Sequence, residues 1–488
     1  MSISRNKLIL LLITLITLAG LSLRFHALGA MDIWTDEALT LYFSSMSAID
    51  VLNLPTAIGE FNPPLFYLLE HYILQFGNSE FILRFIPALA GTITIPVVYL
   101  VGRELFDDEV GLVAALIFAF SGIHLMYSQE ARAYTLAVLV TLVALYFAIK
   151  AYKSDKGSKY FILFGIISGL ALWVHFYTFI FTGIIFLFLW CAFFYIEGYN
   201  HFEKLQKTVI GAIYFVLIAS PMLLVIWNLL ITRTTSNIHF GDSGILITVV
   251  NGTMMLLGLH PVTTLTFIIL FIVAISSLIW FGYYSPNDIT SAIRLLPLLL
   301  FAGSIVASGV LSLWMPMMPR YYLFVLPVIC ILIATITYPL KMIPKWRNIL
   351  TVILCLVIIG SSLPSITAYY DSTKEDWSGI AGDVRTYTHA GDTVICVPEY
   401  LNFTIGYYYD PEQDGVNLYK TRNVSDIQQI TQQTSQNGKQ TYIVVSHLIN
   451  VEDPTGKTFQ WIYDHTDHLS ARETNIYLYR INGTYHRK

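Results

Sequence analysis

Charge is what this sequence has least of. Asp, Glu, Lys and Arg supply 12% of its 488 residues, about half the share of a soluble globular chain. Much of the chain therefore has no water-facing side. The few charges also nearly balance, at a net −4, so the basic face of a nucleic-acid binder is missing and no nucleic-acid partner is expected. Cysteine is scarce as well. Cys191, Cys330, Cys355 and Cys396 stand far apart with no CxxC among them, which excludes a disulfide framework. Three of the four lie in apolar runs and read as small buried hydrophobes. There is no internal repeat and no low-complexity tract. What fills the chain instead is apolar and aromatic side chains, 55% and 14%, at a mean hydropathy of +0.62. That is the composition of a bilayer protein with Trp and Tyr at its interfaces.

A membrane-spanning helix needs about 20 mostly apolar residues. That ruler gives about eleven candidates, near 8–28, 84–102, 110–127, 133–150, 160–176, 178–196, 208–231, 263–283, 293–314, 321–340 and 347–364. The first follows Arg5 and Lys7, as a signal peptide would, but no clean small-x-small cleavage site follows it, so a retained helix is expected. The interrupted apolar stretch 244–260 reads as re-entrant or interfacial. Lys and Arg set the orientation. With the N-terminus cytoplasmic, the inner loops hold Arg5, Lys7, Arg103, Lys150, Lys153, Lys156, Lys159, Lys204, Lys207, Arg294, Lys341, Lys345 and Arg347. The outer loops between spans hold only Arg24, Arg84, Arg132, Arg233 and Arg320. The outer set contains no Lys, and Arg is the residue whose planar fork suits phosphate.

An odd number of spans puts the tail outside. From about Ser365 polar residues rise and apolar runs shorten. Asp392–Pro398, Gln440–Ser446 and Asn475–Ile481 read as strands, and Trp377–His389 and Ser425–Thr434 as helices. The expected organisation is a membrane domain over 1–364, with a first outer loop at about 30–84, followed by a small extracytoplasmic α/β domain over 365–488.

The polar residues that can carry chemistry gather in the outer loops. The first loop opens with Trp34-Thr35-Asp36-Glu37-Ala38. Two adjacent carboxylates beside a membrane helix are costly and suit a tuned general base; the competing structural role is a helix cap, by Asp32 or Thr35, for a helix that starts at Asp36. The loop continues Phe61-Asn62-Pro63-Pro64-Leu65-Phe66-Tyr67 and ends a short interfacial helix at Glu70-His71, where the prolines fix the helix entry. His71 taken alone fits a packed, hydrogen-bonded histidine. The second outer connection, His124 to Tyr134, packs Tyr127, Glu130, Arg132 and Tyr134 into a few residues. Its i, i+4 spacing places Glu130 and Tyr134 on one helix face. His175-Phe176-Tyr177 marks a further outer turn, and Met317-Met318-Pro319-Arg320-Tyr321-Tyr322 places an Arg with aromatics at headgroup depth. Lys374-Glu375-Asp376-Trp377 opens the tail and reads as a helix cap and interfacial anchor.

In this order, Trp34-Thr35-Asp36-Glu37-Ala38, Asn62-Pro63-Pro64-Leu65-Phe66-Tyr67, Leu83-Arg84-Phe85-Ile86-Pro87-Ala88-Leu89-Ala90-Gly91, Tyr127-Ser128-Gln129-Glu130-Ala131-Arg132-Ala133-Tyr134 and Glu375-Asp376-Trp377 resemble the GT-C superfamily of polyprenyl-phosphate-sugar glycosyltransferases. More narrowly, the pattern is similar to the prokaryotic branch of the protein mannosyltransferase family, the group that includes the aminoarabinose lipid A transferases. The likeness covers residues 1–200 well and thins beyond. Asn62 stands where many relatives carry His. The tail does not resemble the sugar-binding trefoil of the eukaryotic protein mannosyltransferases, so a protein acceptor is not implied.

The resemblance implies a GT-C fold whose first outer loop roofs a cavity at the outer membrane face. It implies Asp36 as general base, with Glu37 beside it and Glu130 positioning the base or the acceptor. The donor would be a dolichyl- or undecaprenyl-phosphate sugar, and the acceptor a protein, lipid or glycan. Arg132 and Arg320, then Arg84, are the candidates for the donor phosphate. Trp34, Asn62, His71, His124, Tyr127, Tyr134 and His175 are the candidates for the substrate cavity. No cofactor is expected and no metal, since His124, His175 and Glu130 are only a loose grouping. The rival class is a lipid or glycan transporter or flippase, which needs polar or broken helices at mid-membrane in paired halves. Here the polar residues sit at outer helix ends and no two-half symmetry shows.

Overall fold

The computed structural model describes residues 4–57, 62–154, 157–196, 202–235, 245–284, 290–313, 318–447, 449, 453, 455–472 and 475–482. The chain divides into two compact units. One comprises Met1–Leu28, Ser47–Gln75 and Arg84–Asp371, the other Gly29–Met46, Phe76–Leu83 and Ser372–Lys488.

The first unit is helical. Among the described residues, seven helices are long and apolar enough to cross a membrane: Arg5–Phe25, Phe85–Leu105, Tyr134–Lys153, Phe202–Asn228, Pro261–Ile279, Arg320–Leu340 and Arg347–Tyr370. An eighth candidate is a pair, Asp108–Ala119 and Gly122–Ser128, bent by 61° at its junction. Three shorter apolar helices, Lys159–Val174, Thr178–Phe194 and Leu296–Leu311, occupy the remaining positions where the hydropathy calls for spans. The sequence-based segment 110–127 is thus broken rather than continuous. The segment 321–340 begins as a 3₁₀ turn, Pro319–Val325, before turning α-helical at Leu326. The interrupted stretch 244–260 holds one helix, Ile245–Leu257.

Small residues let these helices meet closely, as packing between apolar helices requires. A Cβ on Gly165 would fall 2.0 Å from the Gly211 carbonyl oxygen, and one on Gly91 would fall 2.3 Å from Ser128 Oγ. Charge collects at one end of the unit. Asp107 caps the helix Asp108–Ala119 by accepting from Glu109 N and Val110 N, both at 3.0 Å. Lys341 pairs with Asp107 and Arg347 with Glu109, while Arg5 and Arg103 reach Asp108 at 3.2 and 3.5 Å. Lys150 pairs with Glu104 at 3.2 Å. These are the basic residues that the charge pattern assigns to the inner loops.

The second unit is built on a five-stranded sheet in the order β2-β1-β3-β5-β4. Its strands are β1 (Thr393–Val397), β2 (Asn417–Lys420), β3 (Thr441–Ser446), β4 (Thr466–Arg472) and β5 (Ile476–Ile481). The β1 strand runs parallel to β2 and β3, and β5 runs antiparallel to β3 and β4. Helices cover both faces, so β1 and β3 are buried along their whole length. Val394, Cys396 and Val444 pack with Trp377, Ile380 and Leu401 on one face. Ile395, Val397 and Val445 pack with Ile427 and Ile462 on the other.

Candidate active site

Each unit holds one cluster of the residues singled out in the sequence. In the helical unit the double proline behaves as its sequence dictates. Pro63 caps and Pro64 begins the helix Pro64–Ile73, which buries Phe66 and Tyr67. That helix start faces a cleft of about 230 Å³ lined by Asn62, Phe66, Tyr67, Arg132, Tyr134 and His175. The Arg320 guanidinium lies over the Tyr134 ring at 6.0 Å and over its neighbour Tyr321 at 5.9 Å. His175 sits within 5.7 Å of the Tyr134 ring and 5.6 Å of Tyr321. Tyr321 stacks on Tyr177 at 5.0 Å. The charges of Arg132 and Arg320 both act on His175 and on Tyr134. One arginine, Arg132, thus lines a small, aromatic-walled cleft, and a second, Arg320, lies against the Tyr134 ring that forms part of its wall, an arrangement suited to an anion that carries an apolar or sugar substituent.

Glu130 and Tyr134 do not share a helix face as their spacing predicts. The helix begins only at Tyr134, and Glu130 lies in the turn before it, with Arg132 N donating to its carbonyl at 2.7 Å. The turn restores the proximity by another route. Tyr127 meets Tyr134 at 5.3 Å between ring centres, and the charge of Glu130 acts on both.

Other outer residues turn inward. His124 is fully buried, with Nδ1 at 3.1 Å from Arg24 Nη2 and 3.3 Å from Ser128 Oγ. Arg24 donates to the carbonyls of Gly20, Ala119 and Phe118 at 3.0, 3.1 and 3.3 Å. Those last two carbonyls lie at the bend of the broken span, where Phe118 accepts a short-turn bond from Ser121 N at 3.3 Å, and inside a bilayer a donor from the protein completes their pairing. Gln129 reaches back to the carbonyls of Arg24 and His26 at 3.1 and 2.7 Å, closing the end of the helix Arg5–Phe25, and accepts from Tyr369 at 3.0 Å. Arg84 is 1% exposed and donates to the Leu28 carbonyl at 3.1 Å. His71 packs edge-on against Tyr72 at 5.2 Å. None of Arg84, His71 and His124 lines the cleft. Met317 lies outside the described residues. Among those described, no group of three or more His, Cys, Asp or Glu side chains is placed to hold a metal ion.

In the second unit the helix Thr35–Ser44 carries Asp36 and Glu37 in its first turn. Its cap is Trp34, not Asp32 or Thr35. Glu37 Oε2 accepts from Trp34 N at 3.3 Å, the reciprocal half of a capping box. The same oxygen takes Lys374 Nζ at 3.2 Å, and the Glu37 side chain has no exposed surface. Glu37 is thus bound into the local structure, whereas Asp36 is half-buried. Asp32 Oδ2 accepts from Ser378 N at 2.6 Å, and Tyr408 OH bridges Ile33 N at 2.8 Å and Glu80 at 3.1 Å. Asp376 caps the helix Trp377–Tyr387 through Gly379 N at 2.9 Å. Burial raises the Glu375 carboxyl above the ordinary carboxylate range, partly offset by the Trp377 indole, which donates to it at 2.7 Å.

Residues 62–227 match the family described as dolichyl-phosphate-mannose-protein mannosyltransferase. A search of curated proteins by sequence finds no match. Among solved structures the chain is similar to ArnT from Cupriavidus metallidurans in its apo state, at a TM-score of 0.61 and 12% identity over 97% of this chain and 98% of that one. The same protein bound to undecaprenyl phosphate matches at 0.60 and 11%, over 99% of both chains. The archaeal oligosaccharyltransferase AglB from Archaeoglobus fulgidus, in complex with an inhibitory peptide and a dolichol-phosphate, matches at 0.56 and 13%, over 99% of this chain and 75% of that one. The fold is GT-C. This GT-C chain is a multi-pass membrane protein with a small sheet domain at its C-terminus.

Four residues with a clear part in these clusters carried little signal in the sequence of this GT-C protein. Arg24 and Gln129 looked like any outer polar residue, and only the positions of the carbonyls they bond reveal their use. Lys374 pairs with Glu37, which lies far from it along the chain, so nothing in the sequence signals the pair. Tyr321 stood out only as one of two aromatics after Arg320.

Proposed function

We propose that this protein is a membrane glycosyltransferase that takes a sugar from a dolichyl- or undecaprenyl-phosphate donor and passes it to an acceptor hydroxyl at the outer membrane face. The observation that carries the reading is Arg132 in the wall of the cleft lined by Asn62, Tyr134 and His175, with Arg320 over the Tyr134 ring and both charges acting on His175. The GT-C relatives solved with undecaprenyl phosphate and with dolichol-phosphate support a lipid-borne phosphate as its occupant. The family matched over residues 62–227 supports a donor of the same class.

The chemistry asks little of the protein beyond placement. The acceptor oxygen attacks the anomeric carbon while Asp36 takes its proton. The bond from that carbon to the phosphate oxygen breaks, and the polyprenyl phosphate leaves with the electron pair. As an anion it needs positive charge rather than a strong acid, and Arg132 and Arg320 supply that charge. A single displacement of this kind inverts the anomeric configuration. Glu37, tied to Lys374, holds the start of the helix that presents Asp36. The acceptor is a protein, lipid or glycan hydroxyl. The charge asymmetry of the loops supports an N-terminus in the cytoplasm and a tail outside.

The test uses membranes containing the full chain, incubated with polyprenyl phosphates that carry labelled mannose, glucose or aminoarabinose. Wild type is expected to release label from at least one donor. Asp36→Asn, still folded, is expected to lose at least a hundredfold of that rate. Turnover by Asp36→Asn at the wild-type rate removes Asp36 as the base.

A further inference from the structure

A base that takes a proton on every turnover must also give it up. In the second unit, Asp36 has a neighbour suited to receive it. The short segment Lys374–Ser378 is fastened to the stretch around Asp36 on both sides, by Lys374 to Glu37 at 3.2 Å and by Ser378 N to Asp32 at 2.6 Å. Between those two fastenings lies Glu375. Its side chain is 13% exposed. One oxygen, Oε2, is held by Trp377 Nε1 at 2.7 Å. The other, Oε1, faces His447 Nδ1 at 4.0 Å. The Thr35 backbone amide and the charge of Asp36 both act on the carboxylate. His447 is 48% exposed. Glu375 thus lies within the electrostatic reach of the half-buried Asp36 on one side and beside the surface His447 on the other.

We infer that Glu375 relays the acceptor's proton from Asp36 towards His447 and solvent. The inference rests on the reading of Asp36 as the base. Each transfer moves one proton between two oxygens, or between an oxygen and an imidazole nitrogen, and consumes nothing else. Glu375 touches no substrate in this scheme and acts through Asp36. The remaining charged groups around it are otherwise engaged: Lys374 with Glu37, and Asp376 with Arg472 at 3.4 Å. A carboxyl whose affinity for a proton is raised by burial is a good acceptor of one.

Two measurements on the full-length protein test the relay. The first needs no donor. Carbodiimide labels protonated carboxyls, and peptide mass spectrometry reads labelling of Glu375 against pH. Asp36→Asn removes a negative charge that acts on Glu375 and is expected to move the labelling midpoint to lower pH, by about half a unit or more. An unmoved midpoint overturns the relay and leaves the base reading untouched. The second measurement uses whichever polyprenyl-phosphate sugar wild type turns over. Glu375→Gln keeps an oxygen for the Trp377 indole but cannot carry a proton. It is expected to lower kcat on the order of tenfold with KM unchanged. Added imidazole or acetate should restore part of the rate, and Glu375→Asp most of it. A loss that shows in KM, or that buffer does not rescue, marks Glu375 as structural and overturns the relay. Full turnover by Asp36→Asn would instead remove the base reading while leaving the labelling result standing.

Discussion

Arginine side chains from the outer loops serve two different purposes. Arg24 and Arg84 direct their forks at main-chain carbonyls of their own unit, whereas Arg132 lines an aromatic cleft and Arg320 lies over the Tyr134 ring in its wall. The difference predicts different losses. Arg132→Lys and Arg320→Lys replace a bidentate fork by a point charge, so each is expected to weaken binding of undecaprenyl phosphate about tenfold, measured by native mass spectrometry or fluorescence titration. Arg24→Lys should leave that affinity unchanged and lower the melting temperature, since one ammonium cannot replace the bonds to Ala119 and Phe118; the cost is about 2 kcal/mol. Unequal affinities in the first pair, with one at the wild-type value, would assign the phosphate to a single arginine. The sequence made the polar stretch from Tyr127 to Tyr134 conspicuous because so little else near it is polar. It did not separate Gln129 from Glu130, since only the folded chain brings the carbonyls of Arg24 and His26 to Gln129.

At the scale of helices and strands, legibility followed burial. Apolar runs announced the helices because one solvent, lipid or protein interior, surrounds each along its length. The break after Ala119 escaped notice because Ser121 and Gly122 are small and sit within an apolar run, and the guanidinium that pairs with its carbonyls comes from another helix. The strands β1, β3 and β5 were readable because their residues are mostly buried. The outermost strands β2 and β4 were not, being short or polar and largely open on one side. The helix pair Lys159–Val174 and Phe202–Thr235 depends on a contact no hydropathy scale shows. Gly165→Val would drive a side chain into the Gly211 carbonyl, so a marked fall in the yield of monodisperse protein is expected. Gly183→Val, where an added Cβ meets nothing within 4 Å, is the control and should express normally.

For the molecule as a whole, the basic residues predict a topology that labelling can check. Gln413 is exposed in the second unit and Lys345 in the first. A membrane-impermeant maleimide should react with Gln413→Cys in intact cells. It should reach Lys345→Cys only after permeabilisation. The reverse pattern would place Asp36, the proposed base, in the cytoplasm and contradict the proposed orientation. The native Cys396 in the tail is fully buried and will not confuse the readout.

The chain passes between its two units at 28/29, 46/47, 75/76, 83/84 and 371/372. A protease nick after Asp371 would therefore not free the tail. The severed fragment would stay attached through Tyr408 to Ile33 and Glu80, and through Phe403 packed at a tilt against Tyr42 at 4.4 Å. For the same reason, residues 372–488 produced alone would lack the partners of those side chains, and a grafting or truncation scheme that treats the tail as a detachable module would cut through its own foundation.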